Sequence, residues 1–248
     1  MVQQPKFVES RRLYQQVADQ IRTLIHSGDF APGTRLPAER ELAHQLGVSR
    51  PSLREALIAL EIEGSVEIRM GSGVYVATTP GRSNPSPWSM GESPSELVQA
   101  RATVEGSVVM MACTRMTADT LAELQDTLAC MKADIAAGRK PLEHDRRFHL
   151  AIAAQSGNSV LARIVADLFD ERHSPISTQL SARFETPETW NRAVAEHEAI
   201  FAALEANDPL LAQSAMRMHL QASKERWVGR PRRLDADALS EDESPLES

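Results

Sequence analysis

The chain has 248 residues, 42% of them hydrophobic and 25% charged, which gives room for two folded domains of ordinary composition. Its net charge of −7 excludes indiscriminate nucleic-acid binding as a starting assumption. With no long apolar run and no basic-then-apolar leader in the sequence, neither a membrane span nor a secretion signal is expected, and a cytoplasmic protein is.

Cys113 and Cys130 fall in helix-like contexts without metal-binding spacing and are expected to be free thiols. Residues 1–79 hold nine Lys/Arg and nine Asp/Glu, so the acidic excess lies downstream. A cationic face can still be assembled from Arg35, Arg40, Arg50, Arg54 and Arg69 if the acids turn away from it.

Leu13 to Ser27 is an amphipathic helix, with Leu13, Val17, Ile21 and Leu24 in one stripe and Gly28 as its stop. Ala31-Pro32-Gly33 is a turn, and Leu36-Pro37 leads into a second helix carrying Leu42, Ala43 and Leu46. After Gly47, Ser49 is positioned to cap a third helix that runs to about Glu63 and buries Leu53, Leu57 and Leu60. Pro51 is tolerated there because its missing amide falls in the first turn. Two helices joined by a tight glycine turn form a helix-turn-helix, whose second helix enters the major groove. Its start offers Ser49, Arg50, Ser52 and Arg54 to phosphates and base edges. Val66 to Val76, apolar alternation around Met70-Gly71-Ser72-Gly73, then reads as a hairpin wing.

These residues carry a resemblance. Pro-Ala-Glu-Arg-Glu-Leu at 37–42, Gly-Val-Ser-Arg at 47–50, Leu-Arg-Glu-Ala-Leu at 53–57 and Gly-Ser-Gly at 71–73 resemble the GntR family of bacterial winged-helix regulators. The resemblance implies DNA contacts by Arg40, Arg50 and Arg54, with Ser49, Ser52 and Gly71 on the backbone or groove edge. The chain departs from some relatives at Pro51 (threonine there) and Met70 (a wing histidine there).

Residues 80–93 have the Pro, Ser and Gly content of a linker, which makes 1–79 the expected DNA-binding domain. Residues 94–230 follow as an all-helical domain. Six amphipathic segments, about 95–116, 118–137, 141–156, 159–182, 187–206 and 208–228, predict an antiparallel bundle. The acidic tail, 231–248, is expected to be disordered. The expected fold class is therefore mainly α: a winged helix-turn-helix followed by an all-α bundle.

Within the bundle, Asp145 and His149 share a helix face, and His197 and His219 lie mid-helix close to the apolar stripes of theirs. Three inward imidazoles and a carboxylate either hold a borderline divalent ion or are hydrogen-bonded core, and spacing alone leaves both open. Asp145-Arg-Arg-Phe-His149, Ser156-Gly-Asn158-Ser159, Glu196-His197 and His219-Leu220 resemble the helical ligand domain (FCD) of the FadR-type subgroup. In metal-binding members of that subgroup, the matching Asp and three His hold zinc, nickel or manganese. Arg11 to Gln16, Glu96 to Arg101 and Ile200 to Pro209 resemble repressors of hexuronate utilisation.

The subgroup resemblance implies that Arg101 faces the cavity, where a carboxylate ligand would accept two hydrogen bonds from it. A surface pair with Glu105 is the alternative. Lys224 is a second ligand candidate, with a solvated lysine as the alternative.

The sequence thus predicts a homodimeric repressor on a palindromic operator, released by a sugar acid bound at the metal, with the linker as hinge. A metal-free regulator sensing an apolar ligand and a metal-dependent enzyme are the alternatives. No catalytic residue is assigned, because no general base or nucleophile motif accompanies the cluster.

Overall fold

The computed structural model describes residues 12–78 and 90–228, and its regular structure is mainly α-helical with one two-stranded sheet among those residues. Most of the expected linker and the expected acidic tail lie outside the described residues.

The head comprises α1 (Leu13–His26), α2 (Glu39–Gln45), α3 (Arg50–Ile62), β1 (Val66–Arg69) and β2 (Gly73–Val76). Ser49 is extended and its hydroxyl accepts from the Ser52 amide at 3.2 Å, which satisfies one free donor of the first turn of α3. The turn before it bends at Gly47, whose φ of 67° favours a residue without Cβ. The strands pair antiparallel with Val66 opposite Val76 and Arg69 opposite Gly73. Backbone bonds from Leu36 to Val74 and from Val76 to Thr34 add the 33–36 segment beside β2. Leu53, Ala56, Leu57 and Leu60 of α3 are buried against Tyr14, Val17 and Ile21 of α1. The predicted winged helix-turn-helix is the structure of the head.

The second part comprises α4 (Pro94–Cys113), α5 (Ala118–Ala136), α6 (Leu142–Gln155), α7 (Ser159–Asp170), α8 (Pro175–Phe184), α9 (Pro187–Glu205) and α10 (Pro209–Val228). The sequence predicts a single helix over 159–182; the structure breaks it. A 3-10 turn at Glu171–His173 intervenes, and Ser174 is extended with ψ 151° ahead of Pro175. Proline disfavours the helical region for the residue before it, and that resets the chain direction. As a result α8 leaves the bundle and packs on the head, where Ile176 and Leu180 join the core built by α1 and α3.

The segment entering α4 also differs from a solvated linker. Met90 is buried in the head core, and the Tyr14 hydroxyl donates to the Gly91 carbonyl at 2.9 Å. A Cβ on Gly91 would lie 2.2 Å from Ser174, so this close pass of two segments requires glycine. Composition identified the turn-forming residues but could not reveal that a methionine among them would be covered by α8.

Candidate metal centre and effector pocket

Three helices of the bundle bring the predicted cluster together. α6 carries Asp145 and His149 one turn apart, α9 carries His197 and α10 carries His219. Phe148, Ile152, Val194, Ile200, Met216 and Leu220 are buried in one core and fix the inward faces of these helices. One ligand atom from each of the four residues lies within 4.8 Å of all the others. His197 Nε2 is 2.9 Å from Asp145 Oδ1 and 3.2 Å from His149 Nε2, and His149 Nε2 is 3.6 Å from Asp145 Oδ1. Donors about 2.0–2.1 Å from one ion are separated by roughly 3 Å, so these spacings suit a shared cation.

The other ring nitrogen of each histidine meets an acceptor. His149 Nδ1 bonds the Glu105 carboxylate, His197 Nδ1 the Ala193 carbonyl at 2.7 Å, and His219 Nδ1 the Glu196 carboxylate at 2.9 Å. With the proton on Nδ1, each histidine would satisfy that acceptor and turn its Nε2 lone pair toward the others. Glu105 is in turn held by Arg101 Nε at 2.7 Å, and Glu196 by Arg226 Nη1 at 2.7 Å.

Burial pushes the His149 imidazole below its ordinary range, with Glu105 opposing. Burial and the neighbouring imidazoles, His197 first, push His219 further down. Burial would raise the Asp145 carboxyl, but His197 and Arg172 outweigh it and hold it well below the usual range. Burial likewise opposes ionisation of Glu105, yet Arg101 and His149 bring its carboxyl down to about 2. These shifts favour neutral His149 and His219 beside ionised Asp145 and Glu105, as metal ligation requires.

Asp145, His197 and His219 open onto a cavity of about 500 Å³, mouth included, while fully buried His149 stands behind them. Much of that space is open mouth, and its enclosed part is small. Its walls include Lys140, Arg172, Arg226, Trp190, Thr189 and Ser223. Arg172 Nη1 donates to Asp145 Oδ2 at 2.7 Å, and Lys140 Nζ is 2.8 Å from Glu185 Oε2.

The two predicted ligand residues lie elsewhere. Arg101 is buried, but it does not line this cavity; it stacks over Phe169, 4.6 Å from the ring centroid, and pairs with Glu105, which bonds His149. The Glu105 pairing named as its alternative is made, though in the interior and not on the surface. Lys224 lies at the seam between head and bundle, near Glu55 and Ser95. No sequence pattern marks Arg172, Arg226 and Lys140, because each reaches the pocket from a different element and has an acid partner distant in the chain. Glu196 could have been noticed beside His197, yet it serves the histidine of the next helix.

On the head, Arg40, Ser49, Arg50 and Gly71 are exposed, and Ser52 is half-buried. Arg54 is half-buried, pairs with Glu39, and its guanidinium lies 5.2 Å from the centre of the Phe184 ring. Arg69 covers Tyr75 at 4.3 Å on the wing.

Residues 13–76 match the bacterial regulatory proteins of the gntR family, and residues 96–222 match the FCD domain. The chain is similar to the Uxu operon transcriptional regulator of Escherichia coli K12, with 34% identity over 88% of each chain. It is likewise 34% identical to the Exu regulon transcriptional regulator of that strain, over 88% of this chain and 86% of the relative. A third relative from the same strain, provisionally named as the regulatory protein of an L-lactate dehydrogenase operon, is 35% identical over 85% of this chain and 84% of its own.

Proposed function

The chain belongs to the GntR family of DNA-binding bacterial regulators, with an FCD domain behind its winged-helix head, and on that premise we propose a metal-dependent, sugar-acid-responsive repressor. Its operator is palindromic, because a homodimer presents two heads related by a two-fold axis. Exposed Arg40, Ser49, Arg50 and Gly71, with Ser52 beside them, are the first DNA contacts, and Arg54 joins them once it leaves Glu39.

The observation that carries the sensing half is the approach of His149 Nε2 and His197 Nε2 to 3.2 Å. With both Nδ1 atoms protonated toward their acceptors, the two Nε2 lone pairs would face one point in a buried core, and a cation there would be ligated by both. Asp145, His149, His197 and His219 would hold a divalent ion such as zinc, nickel or manganese, and the bound ion would anchor a carboxylate and an adjacent hydroxyl. Lys140, Arg172 and Arg226 outnumber Asp145 and Glu185 on the pocket wall, so the walls favour an anionic ligand.

The named roles of the Uxu and Exu relatives support a hexuronate or related acid. The lactate-operon relative supports a smaller hydroxy acid with the same carboxylate-hydroxyl chelate. The matched families and relatives are named as regulators, and no enzymatic role is proposed.

A thermal-shift screen of the full chain with D-galacturonate, D-glucuronate, aldarates and L-lactate, with and without added Zn²⁺, Ni²⁺ or Mn²⁺, tests this reading. The expected result is a rise in Tm with an acid that depends on the ion and vanishes in His219→Gln. A rise that ignores the ion would replace this reading with a metal-free sensor.

A further inference from the structure

Three consecutive residues at the end of α8 connect the pocket to every element that would present DNA contacts. Arg183 Nη2 donates to Glu61 Oε2 of α3 at 2.8 Å, and Glu61 Oε1 also accepts from the amide of Ile68 on β1 at 3.0 Å. The next residue, Phe184, lies under the guanidinium of Arg54, which pairs with Glu39 of α2. The residue after that, Glu185, turns the other way. It lines the effector pocket, 2.8 Å from Lys140 Nζ and 3.7 Å from Arg172 Nη2, and it accepts from Trp190 Nε1 at 3.3 Å. The opposite end of α8 is tethered to the same pocket, since Arg172 precedes it in the 3-10 turn and bonds Asp145. Between its ends, Ile176 and Leu180 are buried in the head core.

We propose that residues 183–185 are the link through which pocket occupancy reaches the recognition helix. Glu185 and an acidic ligand are like charges that use the same cations, Lys140 and Arg172. A carboxylate entering the pocket therefore draws those cations away and repels Glu185. Because Glu185 is extended and ends the helix, its displacement pulls on Phe184 and Arg183 directly. Their hold on Arg54 and Glu61 changes with it, and the placement of α3 relative to the wing follows. A ligand shifts the equilibrium only through such a difference in contacts between two states. This inference rests on the proposed anionic effector, but Glu185 can be altered without any ligand.

Hydrogen exchange measured by mass spectrometry on the full, Zn²⁺-supplemented chain separates the two claims. Glu185→Gln removes the charge that Lys140 and Arg172 hold, and Glu188→Gln, on exposed α9 surface, is its control. The expected result without ligand is a severalfold faster exchange of amides in 50–62 in Glu185→Gln and no change in Glu188→Gln. In Arg183→Gln/Phe184→Ala, further addition of Glu185→Gln should change those amides no more. Unchanged exchange at 50–62 in Glu185→Gln would overturn the link, as would an additive response in the triple variant.

D-galacturonate then tests the effector separately. If calorimetry shows that it binds the wild type, exchange at 50–62 must rise, and an unmoved α3 would overturn the link. If it does not bind, the uronate reading fails while the Glu185→Gln result still decides the link.

Discussion

The carboxylate of Glu55, on the recognition helix, caps the first turn of α4: its Oε1 accepts from the Ser95 amide at 2.9 Å, and its Oε2 from the Ser93 hydroxyl at 2.8 Å. One face of α3 thus bears Arg54 and Ser52 while the next residue fastens the head to the ligand domain. Glu55 is only 4% exposed, so its removal would leave buried donors without a partner. Glu55→Ala should lower stability by about 2–3 kcal/mol, as expected for a lost charged cap. Thermal or urea unfolding measures it, and a loss below ~0.5 kcal/mol, the size of an ordinary surface change, would contradict the buried role.

The same residue sets a pH dependence. Burial raises the Glu55 carboxyl above its ordinary value, although its bonds from Ser95 and Ser93 oppose the shift. The folded chain then keeps a proton that the unfolded chain has released, so this contribution to stability falls as pH rises from about 4.5 through the raised value. Glu55→Gln should remove that slope relative to wild type; parallel stability-pH curves would show that Glu55 titrates normally.

The histidine cluster acts in the opposite sense. The folded-state pKa values of His149 and His219 lie below the unfolded value, so at neutral pH neither state is protonated there. As pH falls below about 6.5 the unfolded chain gains protons first, and metal-free protein loses stability. The depressed Asp145 and Glu105 carboxyls extend the loss to lower pH. His219→Gln should lessen the decline of Tm between pH 6.5 and 5. A decline as steep in His219→Gln as in wild type would place its cause elsewhere.

Glu105 touches no ion in this account, yet it fixes the proton and the orientation of His149. Glu105→Gln should weaken divalent-ion affinity by about 10–100-fold, the usual effect of losing such a support. Calorimetric titration with Zn²⁺ provides the value, and unchanged affinity would limit Glu105 to neutralising Arg101.

Replacing Arg50 by Ala should cost about 1–3 kcal/mol of specific DNA binding if it reads a guanine. A loss that is uniform across sequences, with a shallower salt dependence, would indicate phosphate contact instead. Glu39→Gln removes a partner that holds Arg54 off the surface and should leave DNA affinity equal or higher, never lower.

The head was legible because its determinants are local: Ser49 caps its own helix, Gly47 makes its own turn, and Leu53, Leu57 and Leu60 recur on one face. Spacing puts Asp145 and His149 on one helix face and His197 and His219 near apolar stripes, while the resemblance to the helical ligand domain groups the four as one set. What escaped is made between distant segments. Pro175 falls inside the amphipathic pattern of 159–182 although it ends one direction of travel and starts another. The resemblance implies a ligand role for Arg101, whereas the spacing to Glu105 allows a pair without saying that it is buried and serves His149. Arg172, Glu185 and Arg226 acquire meaning only when three helices and a turn converge. No periodicity records that.

The most direct measurement is calorimetric titration of chelator-stripped full-length protein with Zn²⁺, followed by D-galacturonate. The account predicts a single ion per chain, abolished in His149→Gln/His197→Gln, and a uronate that binds only the ion-loaded form. Ion binding that persists in the double variant, or a uronate indifferent to the ion, would contradict it.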